Sequence, residues 1–573
     1  MSKADLVLVN GVFLAGEDCT AVCGALAVKN SRIAYIGGSD GAQSYIRDCG
    51  RVIDLKGAAV LPGMCEAHSH MQSCALKQFY QIFFPLHIGL QAVQAMIADY
   101  IARNPDLSIY AGMGYDASVI PKSALCSATL DALCPDKPLI LQSDDGHSTW
   151  ANSAAMRLAG ITRETENPEG GIIVRDFSGE PTGYLLETAG AMCGGLMFPY
   201  LPKYTLEERK KAILWIQDIF LRRGVTSIYD PGVEPCADYY MAYEELAREG
   251  KLKIKVRGAW FVTHKECRGV SPEVFIDRCI AVSNSLTTPY FQVRAFKFLA
   301  DMVLETETAY LSEPYSDRSD GWRGMKIWSD EELLRSLFLK VDSAGFQIHI
   351  HQMGDAAADY MLSALEYVEC RNGKRDRRPA FAHMQLISDR DKARMARLGS
   401  LAIVAPYWMN MELYLCVNLP HIGEKRALLQ YPAKSLMDAG VTLAVHSDYS
   451  VSMPHYCEAI FGLMTRTWAK AHYDMSSHFE GVYTIDASAP SGDGICGPMP
   501  LESERLSFNE AVSACSIGGA RSMFLDGVTG SLSVGKLADL VAYAEDITRL
   551  EPIALSEREP VITICGGEIV FEA

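Results

Sequence analysis

Two histidines two positions apart, His68 and His70, close the stretch AVLPGMCEAHSHM at 59–71. In extended backbone, side chains at i and i+2 point to one face, so these imidazoles can converge on a single cation. A strand that merely packs can carry the same His-Ser-His. What separates the two readings is whether other ligand-bearing positions gather at equivalent places in the fold. They do: Lys297 lies in VRAFKFLAD (293–301), His351 ends FQIHIH (346–351), His383 lies in RPAFAHM (378–384) and Asp448 ends VTLAVHSD (441–448). Each alone has a plain structural explanation, a packed histidine or, for Asp448, a helix cap. Together, neutral imidazoles and a carboxylate suit Zn²⁺, or Mn²⁺, Fe²⁺ or Co²⁺ as another divalent transition metal.

The elements that must position these residues alternate. Strand-like runs recur at VTSIYD (225–230), KIKVRGAWFV (253–262), the four segments just named and LAIVAP (401–406), with helical periodicity in DEELLRSLFLKVDSAG (330–345) and DAAADYMLSALEYV (355–368). With the strand that leads into His68, eight strands alternate with helices, which predicts an α/β fold built on a (β/α)8 TIM-type barrel whose chemistry lies at the C-terminal strand ends. Residues 1–57 read instead as short strands and turns, with hairpin signals at Asn10–Gly11 and Lys29–Asn30. Residues 526–573 carry similar text, so the two termini are expected to build one composite β-sandwich around a barrel spanning 58–525. The alternation lapses at about 75–205, an expected insertion after the first barrel strand.

At 573 residues, 49% hydrophobic and 21% charged, the chain has ample apolar material for a large core. Its formal charge of −17 repels polyanions, which argues against nucleic acid or an anionic membrane as partner. No apolar run reaches the roughly 18–20 residues of a membrane span, and the first residues make a poor export signal. A cytoplasmic location and a small-molecule substrate are the expectation. The 17 cysteines are scattered with no CxxC, unlike zinc knuckles or a disulfide framework.

Several phrases resemble the amidohydrolase superfamily, in the YtcJ-like branch of N-substituted formamide deformylases. They are PGMCEAHSH (62–70), GYD (114–116), GHSTWANSAAM (146–156), PEGGIIVRDFSGEPTG (168–183), GVTSIYD (224–230), HIHQMGDAA (349–357), AHMQLISDRD (382–391), HSD (446–448) and GSLSVGKLADLV (530–541). The resemblance implies a divalent metal centre, one or two ions per chain, that activates water against a C–N bond of a non-peptide amide. His68 and His70 match the paired histidines, Asp448 the aspartate of the last strand, and His351 and His383 the histidines of the fifth and sixth strands. Lys297 matches a lysine that is carboxylated in many relatives. His349 faces the same side as His351 but deeper, and is the second choice. Asp448 is the implied proton carrier, with His383 polarising the carbonyl.

The chain also departs from the pattern. His446 replaces a common Gly, Met302 another Gly, and Glu66 a frequent Asp, which is expected to orient a ligand. His446, His147, Trp150, Tyr115 and Tyr407 are candidates for the substrate pocket, with Trp408 beside them. The Gly, Lys and Asp of GSLSVGKLADLV are implied to be structural. A mononuclear deaminase or cyclic-amidine hydrolase is the alternative reading, and a non-catalytic scaffold a third. A homodimer is implied by the resemblance only.

Overall fold

The computed structural model describes residues 4–573 except 47–48, 85–87, 118, 144–145, 169–170, 198–202, 233–236, 264–268, 410–417 and 468–497. Two compact units emerge: one from the described parts of Met1–Met71, Ile213–Ala471 and Ala489–Ala573, the other from Gln72–Ala212.

In the first unit the alternating runs become eight parallel strands: β1 (Met64–Glu66), β2 (Val225–Asp230), β3 (Lys255–Phe261), β4 (Phe291–Leu299), β5 (Gln347–Gln352), β6 (Ala380–His383), β7 (Leu401–Val404) and β8 (Thr442–Val445). They hydrogen-bond in sequence order. The ring is drawn together beyond the ladder by the Ala67 N–H, which donates to the Val445 carbonyl at 3.0 Å. Strands β2, β6 and β7 are buried at every position, as expected where helices cover a parallel sheet. Ala67, Ala380, Ile403 and Ala444 pack together inside. These small side chains leave room for imidazoles at the rim.

The connecting helices start where short polar side chains can cap them. Asp330 accepts the Leu333 N–H at 3.0 Å ahead of Glu331–Ser343, and Ser388 accepts the Asp391 N–H at 3.2 Å ahead of Asp389–Leu398. Asp301, in the KFLAD phrase after β4, accepts N–H bonds from Tyr310, Met353 and Gly354 at 2.9, 3.0 and 2.7 Å. It thereby ties the loop after β4 to the turn after β5. A Cβ at Gly354 would lie 2.0 Å from the Tyr310 carbonyl oxygen, so only glycine fits this approach.

Both termini contribute to one eight-stranded sheet in this unit. Its order is Glu568–Glu572, Ile562–Cys565, Leu540–Ala542, Ala59–Pro62, Leu6–Ala15, Thr20–Lys29 and Arg32–Gly37, with Arg51–Asp54 also paired to Leu6–Ala15. Leu8, Phe13, Leu26, Leu540 and Ile564 share its apolar core. The second expected hairpin forms: Lys29 pairs with Arg32 across Asn30 and Ser31, both at positive φ. The first does not. Leu6–Ala15 runs straight through Asn10–Gly11, and the register slips between Leu8 and Gly11 as a bulge. Asn10 takes its positive φ of 55° inside the strand, and its side chain donates to Asp54 at 3.0 Å.

The GKLAD phrase is structural here. The Lys255 ammonium on β3 lies 2.7 Å from the Asp539 carboxylate, with the two side chains 2% and 0% exposed. Replacing one partner strands a buried charge, so Lys255→Met is expected to cost about 3–5 kcal/mol in urea unfolding. A loss below about 1 kcal/mol would show the pair to be dispensable.

The second unit is built on a six-stranded sheet ordered Gly171–Arg175, Pro181–Glu187, Ser148–Ala151, Leu139–Ser143, Tyr110–Tyr115 and Ile82–Phe83, with helices such as Leu90–Arg103 between its strands. Among the described residues no helix is long and apolar enough to cross a membrane.

Candidate metal centre

His68 and His70 lie just past β1, in a segment held on both sides by backbone bonds. The Ser69 N–H donates to the Tyr229 carbonyl at 2.9 Å, the His70 N–H to Tyr449 at 3.0 Å, and the Asp448 N–H to the His68 carbonyl at 3.1 Å. This lacing brings His68 Nε2 to 3.4 Å and His70 Nε2 to 3.5 Å from Asp448 Oδ1. The other carboxylate oxygen, Oδ2, lies 3.9 Å from His383 Nδ1. Asp448 and His383 both adopt positive φ, 53° and 78°. Strain of this kind costs about 1–3 kcal/mol per residue and concentrates at functional sites.

The fifth strand brings both of its histidines to the centre. His349, the second choice, meets His68: its Nε2 is 2.8 Å from His68 Nδ1, and its ring stacks on Tyr229 at 4.3 Å. His351 sits one pleat nearer the rim, where its Nε2 is 3.2 Å from the Met302 carbonyl oxygen and its ring 4.5 Å from that of His383. The reason is depth. His349 pairs in register with Lys297, the level to which His68 descends.

Lys297 is buried beside these rings, and burial pushes its amine down to about 7 while Asp448 pulls the other way. A neutral amine is the form that can add carbon dioxide. Burial likewise holds His68, His349, His383 and His446 well below the ordinary imidazole value. Neutral imidazoles are what a cation requires. Glu66 is fully buried; its Oε1 accepts the Ser447 N–H at 2.7 Å, and burial pushes its carboxyl up to about 8. It braces β1 against the segment that carries Asp448.

The donor set fits a borderline divalent ion: His349 Nδ1, His383 Nδ1 and both His446 nitrogens are buried without a hydrogen-bond partner. Ligand atoms of His68, His70 and Asp448 lie within 4.8 Å of one another, as do those of His383, His446 and Asp448.

These histidines also weigh against the folded state in acid. Below the unfolded imidazole value of about 6.5 the unfolded chain takes up protons that the folded chain refuses. Their contribution is whole above that value and is lost as pH falls. Between pH 6 and 5 each histidine that stays neutral should cost the metal-depleted protein up to about 1.4 kcal/mol per pH unit, offset in part by Glu66, whose raised carboxyl is already protonated in the fold. Urea unfolding across that range checks it, and a flat profile would contradict it.

The expected pocket residues divide. His446 lies at the centre, its ring 4.8 Å from His383 and 5.3 Å from Trp408. Trp408 stacks on His383 at 5.5 Å and 12°. Tyr407 points away: its hydroxyl donates to the His455 carbonyl and accepts the His455 N–H, at 3.1 and 3.0 Å. Trp150 and Tyr115 also depart from expectation. They belong to the second unit's core, their rings edge to face at 5.7 Å, with the Trp150 indole N–H on the Cys126 carbonyl and Tyr115 on Ser148. Aromatic type alone does not separate a pocket wall from core. His147, also in the second unit, lies 2.9 Å from the Glu187 carboxylate.

The profile of the amidohydrolase family matches residues 51–571. Protein LONG AFTER FAR-RED 3 of Arabidopsis thaliana is 28% identical, with 94% of this chain and 87% of that one aligned. The putative amidohydrolase YtcJ of Bacillus subtilis (strain 168) is 26% identical over 91% and 90%. The N-substituted formamide deformylase of Arthrobacter pascens is 24% identical over 99% and 98%. Among solved structures, an uncharacterized metal-dependent hydrolase from Pyrococcus horikoshii OT3 superposes with a TM-score of 0.71 at 20% identity, covering 96% of this chain and 99% of that one.

Proposed function

The chain belongs to the amidohydrolase family, and from that premise we propose that it is a metal-dependent hydrolase of the C–N bond in a small, non-peptide amide. The observation that carries this reading is the approach of His68 Nε2 and His70 Nε2 to one oxygen of Asp448 at the C-terminal end of the barrel strands. These three residues would hold the cation, with Lys297 beside them and His349 turned toward His68. A divalent ion there supplies Lewis acidity, lowering the pKa of a water from 15.7 to roughly 7 and polarising a carbonyl.

The remaining work falls to the chain. Asp448 takes the proton of the attacking water and passes it to the leaving nitrogen. His383 is neutral and held flat against Trp408. It donates a ring N–H to the carbonyl oxygen as negative charge develops. Water and the amide yield a carboxylic acid and an amine. N-substituted formamides are the first substrates to try, since a relative aligned over nearly its whole length carries that activity in its name.

The test is a hydrolysis panel of N-substituted formamides, acylated amines, cyclic amides, ureas and amidines, run on zinc-loaded and chelated protein. Amine release that requires the metal supports the reading. Ammonia from amidines alone would favour the deaminase chemistry, and a folded protein that takes up no metal would favour a scaffold.

A further inference from the structure

His446 has no structural employment. It is wholly buried, and neither ring nitrogen has a hydrogen-bond partner. A histidine kept only for packing would leave two polar atoms without compensation where an apolar residue would serve better. Its ring stands 5.5 Å from His68 and 4.8 Å from His383. The carboxylate of Asp448 turns one oxygen to His68 and His70 and the other to His383.

We propose that His383, His446 and Asp448 form a second cation position beside the first, with Asp448 shared between the two and His446 a ligand of the second ion. The proposal rests on the hydrolase reading for the first position. It gives the second ion an all-protein donor set of two imidazoles and a carboxylate, suited to Zn²⁺, Mn²⁺ or Co²⁺, without requiring carboxylated Lys297. Trp408 packs edge-on against the His446 ring and flat against His383, fixing both donors before an ion arrives.

The experiment is metal content by mass spectrometry after loading with Zn²⁺ and gel filtration, for wild type, His446→Asn, His446→Phe and Lys297→Ala. Two equivalents in wild type and Lys297→Ala, falling to one in the His446 variants, support the proposal. One equivalent in wild type, with metal-dependent turnover intact, overturns it and leaves the hydrolase reading standing. Two equivalents in the His446 variants and one in Lys297→Ala overturn it in favour of a lysine carbamate as ligand. No bound metal overturns both. Should the His446 variants fail to fold, a Co²⁺ titration of wild type decides: visible absorption rising to two equivalents supports the second position, and a plateau at one overturns it.

Discussion

Replacing Asp448 by Asn is expected to lower kcat about 10⁴-fold on the best amide substrate, the upper end of what one proton-transferring group contributes. The carboxylate serves twice in this centre, as a donor to the cation and as a proton carrier, and the amide can do neither well. The exchange preserves the backbone: Asp448 sits at φ 53°, and Asn is among the few residues that enter the left-handed region readily. Its backbone N–H bond to the His68 carbonyl is unaffected by the exchange. Circular dichroism and thermal unfolding of metal-loaded protein should therefore stay close to wild type while turnover collapses. A fall of less than about tenfold would remove Asp448 from proton transfer.

Much of the barrel was legible because parallel strands covered on both faces leave continuous apolar runs, and such runs leave little room for error. VTSIYD and LAIVAP became Val225–Asp230 and Leu401–Val404 nearly letter for letter. The candidate ligands stood out for a different reason: His, Lys and Asp are unusual at the ends of such runs. What sequence hides is depth. Residues at i and i+2 share a face, so HIHQ alone cannot tell which histidine lies level with a partner on another strand. Asn10–Gly11 misled in the same way, since a bulge and a turn ask for the same positive φ. Tyr407 and Trp408 are neighbours of similar chemistry, yet one braces His455 and the other stacks on His383. That choice was made by a short turn at Pro406–Trp408, which residue type does not announce.

His349→Gln is expected to weaken the first cation by about 10–100-fold, the loss typical when the group that orients a ligating histidine is removed. Its ring nitrogen at 2.8 Å from His68 Nδ1 fixes which nitrogen of His68 faces Asp448, and the flat contact with Tyr229 fixes His349 in turn. His351→Gln should change the same affinity by less than about threefold, because the native ring reaches the Met302 carbonyl, one pleat nearer the rim. Competition with a chromogenic chelator reads both constants directly and without a substrate. The reverse order, with His351 the sensitive position, would mean that the cation sits one pleat higher, at the level of His383, and that His68 must turn outward to meet it.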